Sequence, residues 1–324
     1  MTYLRSVLLV LLVGFGLAGN AHSQSVYPSK PITIIVPFGP GGIADITARS
    51  FGQAIQVALK QPVIIDNRPS AGNIVGSAAV AKAAPDGYTL LLMSNGNAVS
   101  TGLFKKLPYN PVKDFAPIAT MGYFDLALFV DAKSKYKSAR EVLDFAKGNP
   151  GKLTIGTIAV GSTQNLSAEL FKSQAGIDAL IVPYNSTPAL QTALRGGQVD
   201  VAFEILGPMI AQVGPQGGLR ALAVSSDKRF PGLPDVPTLQ ESGLPGYNVA
   251  SWNALVAPVG TPKEVIGKLN AAVNDAAKSP ELQKKMQALG VRTQGSTPEQ
   301  LDQLLKSEIQ RWGEVIVKAK ITPQ

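Results

Sequence analysis

The 324-residue chain has no cysteine and a single histidine. That histidine, His22, lies in an N-terminal stretch expected to be cleaved. The mature chain would then hold neither residue type. This excludes thiol nucleophiles, Ser-His-Asp triads, thiolate or imidazole metal sites, iron–sulfur clusters and disulfides. Carboxylate, lysine, hydroxyl and backbone chemistry remain, or no catalysis at all, and no metal or cofactor is expected. Beyond the N-terminus no apolar run reaches the roughly 20 residues a bilayer span needs. A long basic cluster is also missing, as is any interleaving of basic and aromatic residues. Nucleic acid is therefore not an expected partner. The formal charge of +8 reads as a contribution to solubility.

Hydrophobic residues make up 45% of the chain, enough for ordinary cores, and the length suits two domains. The first residues have the order of a secretory signal. Arg5 is a short positive region, Val7 to Leu17 is apolar, and Ala21-His22-Ser23 is a small-x-small cleavage site. Residues 1–23 are read as this signal. Cleavage takes Arg5 and no acid, so 30 basic residues fall to 29 against 22 acidic ones, a charge of +7. With no cysteine to carry a lipid, export without an anchor is expected, which means the periplasm in a bacterium with an outer membrane.

Strands and helices alternate along the early chain. Pro31 to Phe38 is a β-branched apolar run of the buried parallel-strand type. Gly39-Pro40-Gly41-Gly42 breaks it, and Ile43, Ile46, Phe51, Ala54 and Val57 follow at helical spacing. Pro62 to Asn67, Asn73 to Ala84 and Tyr88 to Ser94 complete a βαβαβ order. Lys152 to Ile158, Asp178 to Tyr184, Gln198 to Ile205 and Leu219 to Ser226 repeat the theme with helices between them. Two apolar stretches, Ile118–Asp131 and Tyr247–Pro258, are expected to cross between the two units. The expected architecture is α/β and two-lobed, each lobe a mostly parallel sheet flanked by helices. Lobe 1 would be 24–124 plus 251–324, and lobe 2 would be 125–250. Capping boxes are read at Ser138–Glu141, Thr261–Glu264 and Thr297–Gln300. Leu301, Leu304, Leu305, Trp312 and Ile316 form a core-facing stripe on the last helix.

Ligands of open α/β sheets bind beyond the carboxyl ends of the strands. Four loops stand at such ends. Phe38 to Asp45 joins the first strand to the first helix; its glycines permit close backbone approach, and the helix N-terminus suits an anion. It falls short of a dinucleotide fingerprint, and a plain tight turn is the bland alternative. Ser94-Asn95-Gly96-Asn97, Gly161 to Asn165 and Tyr184 to Pro188 also open helices, with Thr187 read as a cap. Together they offer neutral donors that can hold a carboxylate without a cation. Asp200 and Glu204 share one face of a strand. They read either as an acid–base pair or, in the favoured view, as Asp200 serving the backbone and Glu204 the ligand or hinge.

These loops and their surroundings resemble the extracytoplasmic receptors of the tripartite tricarboxylate transporter system, the Bug receptors. The resemblance rests on blocks in order: YPSKPITIIVPFGPGGIADITAR, DNRPSAGNIVG, AAPDGYTLL, LPYNPVKDFAPIA, VPYNSTPALQTALRGGQVDVAF, RFPGLPDVPTLQESGLPGY and WNALVAPVGTPKEVIGKLN. It implies a periplasmic Venus-flytrap fold and a small organic anion as ligand: a di- or tricarboxylate, an amino acid or an aromatic carboxylate. It also implies membrane permease subunits as partners, no enzymatic activity, and a monomer that hinges. By the same resemblance Gly41, Gly42, Ile43, Ala44 and Asp45 cradle the carboxylate, with Phe38 at the loop's start. Ser94 and Asn95 border it. Ser162, Thr163, Gln164, Tyr184, Asn185, Ser186 and Thr187 close from the second lobe. Glu204 stands where the family usually has Asp. Asn165 replaces a common His and Ser186 a usual Gly, which points to altered specificity. Presentation of the closed form to a sensor kinase and a carboxylate-based enzyme are the alternative readings.

Overall fold

A computed structural model describes residues 27–214 and 216–323; the expected signal at 1–23 lies outside the described residues. Among the described residues no helix is long and apolar enough to cross a membrane. The chain opens with β1 (Ile32–Val36), α1 (Ile43–Leu59), β2 (Val63–Asn67), α2 (Ile74–Ala81), β3 (Thr89–Ser94) and α3 (Asn95–Leu103). Four of the five β1 residues are buried, as a parallel strand covered on both faces requires. β1 pairs in parallel with β2 and β3. The sheet then continues β3-β9-β4, where β9 (Ala250–Pro258) runs antiparallel to both β3 and β4 (Phe115–Asp131).

The second sheet holds β5 (Leu153–Ile158), β6 (Ala179–Tyr184) and β7 (Val201–Ile205), all parallel. Around it lie α4 (Ala139–Gly148), α5 (Thr163–Ala175), α6 (Thr187–Arg195) and α7 (Leu206–Ile210), and β8 (Leu219–Val224) joins antiparallel. The tail adds α8 (Lys263–Lys278), α9 (Pro280–Gln287), β10 (Val291–Thr293) and α10 (Pro298–Lys318). The fold is mixed α/β and two-lobed.

The first apolar stretch expected to cross is one continuous strand, β4 (Phe115–Asp131). Its residues 115–125 pair with β9, and from Leu126 onward it pairs with β7 and β8. One strand thus belongs to both sheets, and the change of partner falls at Asp125. The returning chain is tied to the same point. Ser225 donates its N–H to the Leu126 carbonyl and its hydroxyl to the Leu126 and Val249 carbonyls.

Asp125 is fully buried. Arg292 on β10 grips it through Nε, 3.1 Å from Oδ2, and Nη2, 2.9 Å from Oδ1. Burial raises the Asp125 pKa above its ordinary value despite the opposing pull of Arg292.

Local details correct the capping assignments. Thr297 and Gln300 form the expected reciprocal box at α10. Ser138 caps α4, but Glu141 reaches back to the Lys137 N–H instead of that of Ser138. Thr261 does not cap α8; its hydroxyl donates to the Pro258 carbonyl, closing the turn after β9. Ser186, not Thr187, caps α6, which leaves the Thr187 hydroxyl free for a tertiary partner. Leu304 is the one member of the α10 stripe left only half-buried, and Glu308 joins the buried face.

Removing one member of a buried ion pair is costly, whereas replacing both by apolar groups is often nearly neutral. Arg292→Leu should therefore cost about 3 kcal/mol or more in denaturant unfolding. The double variant Asp125→Leu/Arg292→Leu should cost less than this single change.

Candidate functional site

The β1–α1 loop is shaped by Gly41, whose φ of +80° is a left-handed conformation that side chains disfavour. Gly42 at the α1 N-cap offers no side-chain cap. The first-turn N–H groups therefore gain no partner from it, and the positive end of the helix dipole points out of the loop. Asp45 faces inward and is 3% exposed. Its carboxylate accepts from the Gly41 N–H, Arg49 Nε and Asn67 Nδ2, at 2.9 to 3.0 Å. Burial opposes its ionisation, yet Arg49, Gly41 and Asn67 together hold its pKa below the ordinary value. Asn67 Nδ2 also donates to the Phe38 carbonyl. The loop is thus held from beneath by Asp45.

Ser94 caps α3 in a reciprocal box with Asn97. The neighbouring Asn95 is fully buried and bridges the lobes. Its Nδ2 donates to Thr163 Oγ1 on α5 at 3.0 Å, and its Oδ1 accepts from Trp312 Nε1 on α10 at 2.9 Å. Facing it, Ser162 caps α5 by accepting from the Asn165 N–H. Asn165 turns back on its own loop, where Oδ1 accepts from the Gly161 N–H. Its Nδ2 donates to Thr157 Oγ1 on β5 at 3.4 Å, so the amide links the loop to the strand before it.

Glu204 is 1% exposed. Its Oε1 accepts from Gln164 Nε2 at 2.6 Å and from the Ile205 N–H at 2.7 Å, and Oε2 accepts from Thr187 Oγ1 at 2.9 Å. With no cation among these partners, burial raises its pKa. Asp200 precedes β7 at the opposite end from Glu204, where its Oδ2 accepts from the Thr154 N–H and hydroxyl. The strand separates the two carboxylates by about four residues of 3.3 Å each, too far for one acid–base pair.

A cavity of about 310 Å³ opens between these loops. It gathers Phe38, Gly42, Ile43, Ala44 and Ser94 from one side and Ser162, Thr163 and Gln164 from the other. Gly41, Asp45, Asn95, Tyr184, Asn185, Ser186, Thr187 and Glu204 do not line it. Asp45 supports the first loop, Asn95 ties the lobes, and Thr187 and Glu204 orient Gln164. Gly96 and Gly161, within two of the expected loops, also line it, and the lining residues missed by sequence reasoning are Val99, Phe124, Ile158, Ile205, Ser251 and Asn253. Alternation along YNVASWNALVAP could have found the last two, since Ser251 and Asn253 share a strand face. No Lys, Arg, Asp or Glu lines the cavity among the described residues. Its chemistry is a helix N-terminus and hydroxyls around an apolar wall, which suits a desolvated anion with an apolar body. A larger cavity of about 540 Å³ between α5 and the end of α10 includes none of these loops.

The raised pKa of Glu204 makes stability depend on pH. The native state binds its proton more tightly than the unfolded chain, whose value is near 4.5. This contribution is present below 4.5 and is lost as pH rises through the higher native value. Glu204→Gln should flatten that loss, seen as a smaller fall in melting temperature from pH 4.5 upward than in the unsubstituted protein.

The family model described as "Tripartite tricarboxylate transporter family receptor" matches residues 47–321. Protein BugT of Bordetella pertussis is 35% identical over 318 residues, covering 98% of this chain and 97% of BugT. Among solved structures, R. palustris Rpa4515 with adipate superposes with a TM-score of 0.77 at 32% identity, covering 92% of this chain and 100% of that one. MatC from Rhodopseudomonas palustris with bound malate gives 0.71 at 32% identity, with coverage of 90% and 100%. A family match over most of the chain, carried through both lobes, places this protein among the receptors of the tripartite tricarboxylate transporter family.

Proposed function

We propose that this receptor captures a small organic carboxylate in the inter-lobe cavity and delivers it to a membrane permease of the tripartite type. Residues 24–124 plus 251–324 would form one lobe and 125–250 the other, with the protein exported to the periplasm after loss of residues 1–23. The observation that carries the reading is the cavity itself. An uncapped α1 N-terminus meets the hydroxyl-bearing α5 loop across a space without charged side chains. The adipate and malate bound to the two R. palustris proteins support the ligand class.

In this reading the carboxylate sits at Gly42, Ile43 and Ala44, where dipoles and N–H groups replace its water. Gln164, oriented by Glu204, meets it from the second lobe. The Trp312–Asn95–Thr163 chain of hydrogen bonds holds the lobes together once closed.

Isothermal titration against dicarboxylates, aromatic acids and amino acids tests the reading; binding by none of them sinks it. A ligand at 100 times its dissociation constant should stabilise the fold by about 2.7 kcal/mol. Gly42 has a φ of −77° and room for a Cβ, whose nearest contact is the Gly39 carbonyl at 3.8 Å. Gly42→Val should therefore keep the native melting temperature and lose at least tenfold in affinity. Unchanged affinity would remove the first loop from the site.

A further inference from the structure

On its first-lobe side the cavity offers hydrogen-bond donors. Gly42 leaves the first-turn N–H groups of α1 uncapped. Ser94 Oγ already accepts from Asn73 Nδ2 and the Gly96 N–H, so its own proton is left to give. On the second-lobe side Ser162 is spent on its loop, donating to the Ile158 carbonyl and accepting from the Asn165 N–H. Gln164, in the first turn of α5, is not spent in this way.

The orientation of the Gln164 amide is fixed from behind. A backbone N–H can only donate, so Glu204 Oε1, which takes the Ile205 N–H at 2.7 Å, is held as an acceptor. The Gln164 atom 2.6 Å from that oxygen must therefore be the donor Nε2. Thr187 holds the other oxygen of Glu204, so the carboxylate does not swing away. Gln164 Oε1 is then turned from Glu204. It accepts from no protein group, and it keeps open surface on a side chain that lines the cavity. Nε2 carries a second hydrogen, so the amide can give to a carboxylate oxygen and take from a group beside it.

We propose that Gln164, held in one orientation by Glu204, makes the receptor select carboxylates that carry a hydrogen-bond donor, a hydroxyl or an ammonium, on the carbon next to the carboxylate. This rests on the carboxylate-receptor reading and names the substituent beside the head group. The carboxylate takes the α1 N-terminus, and its neighbouring O–H or N–H donates to Gln164 Oε1. An acid with no donor there leaves Oε1 desolvated and unpaired, and one with a carbonyl there sets oxygen against oxygen. Glu204 is a positioning residue in this scheme.

Titration calorimetry on the mature chain decides it, with 2-hydroxy, 2-amino, 2-oxo and unsubstituted acids, each as mono- and dicarboxylates of four to eight carbons. At the best chain length the hydroxy or the amino acid should bind about tenfold tighter than the oxo and the unsubstituted acid. The hydroxy and amino arms tell which donor is preferred. Gln164→Met should bring the four acids within about threefold of one another. Glu204→Met, which frees the amide to turn, should narrow the hydroxy-to-oxo ratio, and Glu204→Gln, which can keep an oxygen toward Gln164, should restore it. An oxo or unsubstituted acid that binds the unsubstituted receptor as tightly as its hydroxy and amino counterparts overturns the inference, and this outcome needs no variant to fold. So does an unchanged preference in folded Gln164→Met. Both outcomes leave the receptor reading intact. If no carboxylate of any series binds, the receptor reading falls and the inference with it.

Discussion

The structure depends on one strand being shared by two sheets. β4 gives residues 115–125 to the first and hands over to the second at Leu126. Both faces of such a strand must be covered, which explains its long apolar sequence. The hand-over also needs the second crossing beside it, and Ser225 supplies the bond between Leu126 and Val249. Asp125 sits at this junction with its charge buried, and Arg292 from the tail closes on it. The C-terminal elements are thereby drawn onto the first sheet next to this crossing. α10 then extends past α3 toward α5, where Trp312 holds Asn95 and Asn95 holds Thr163.

The same geometry brings the strand carboxyl ends of both lobes to one cavity. The acids nearest to it are structural. Asp45 is spent on Gly41, Arg49 and Asn67, and Glu204 on Gln164, Thr187 and the Ile205 N–H. Each fixes a loop that presents neutral groups. A cavity lined by dipoles and hydroxyls avoids the cost of burying a cation. The cavity combines two kinds of wall: the uncapped α1 N-terminus on one side and the apolar side chains of Val99, Phe124, Ile158 and Ile205 on the other.

Much of this was legible along the chain. Strand–loop–helix order at Phe38 to Asp45, at Ser94 and at Ser162 places those loops at strand carboxyl ends, because parallel βαβ units put them there. The α/β class and the capping box at Thr297 follow from periodicity and local chemistry alone. Such features depend on neighbours a few residues away, so the sequence carries them directly. Side-chain direction within a loop does not follow from it. Asp45 turned inward because Arg49 and Asn67 lay beneath it. Thr187 gave up capping because Ser186 took that place and Glu204 offered a partner. Long-range pairing was equally invisible. Nothing near Asp125 in sequence announces Arg292, 167 positions away. Nor does the apolar run around Asn253 reveal that its amide nitrogen would be buried without a hydrogen-bond partner. Those outcomes depend on which distant surfaces meet, and only the packed fold decides that.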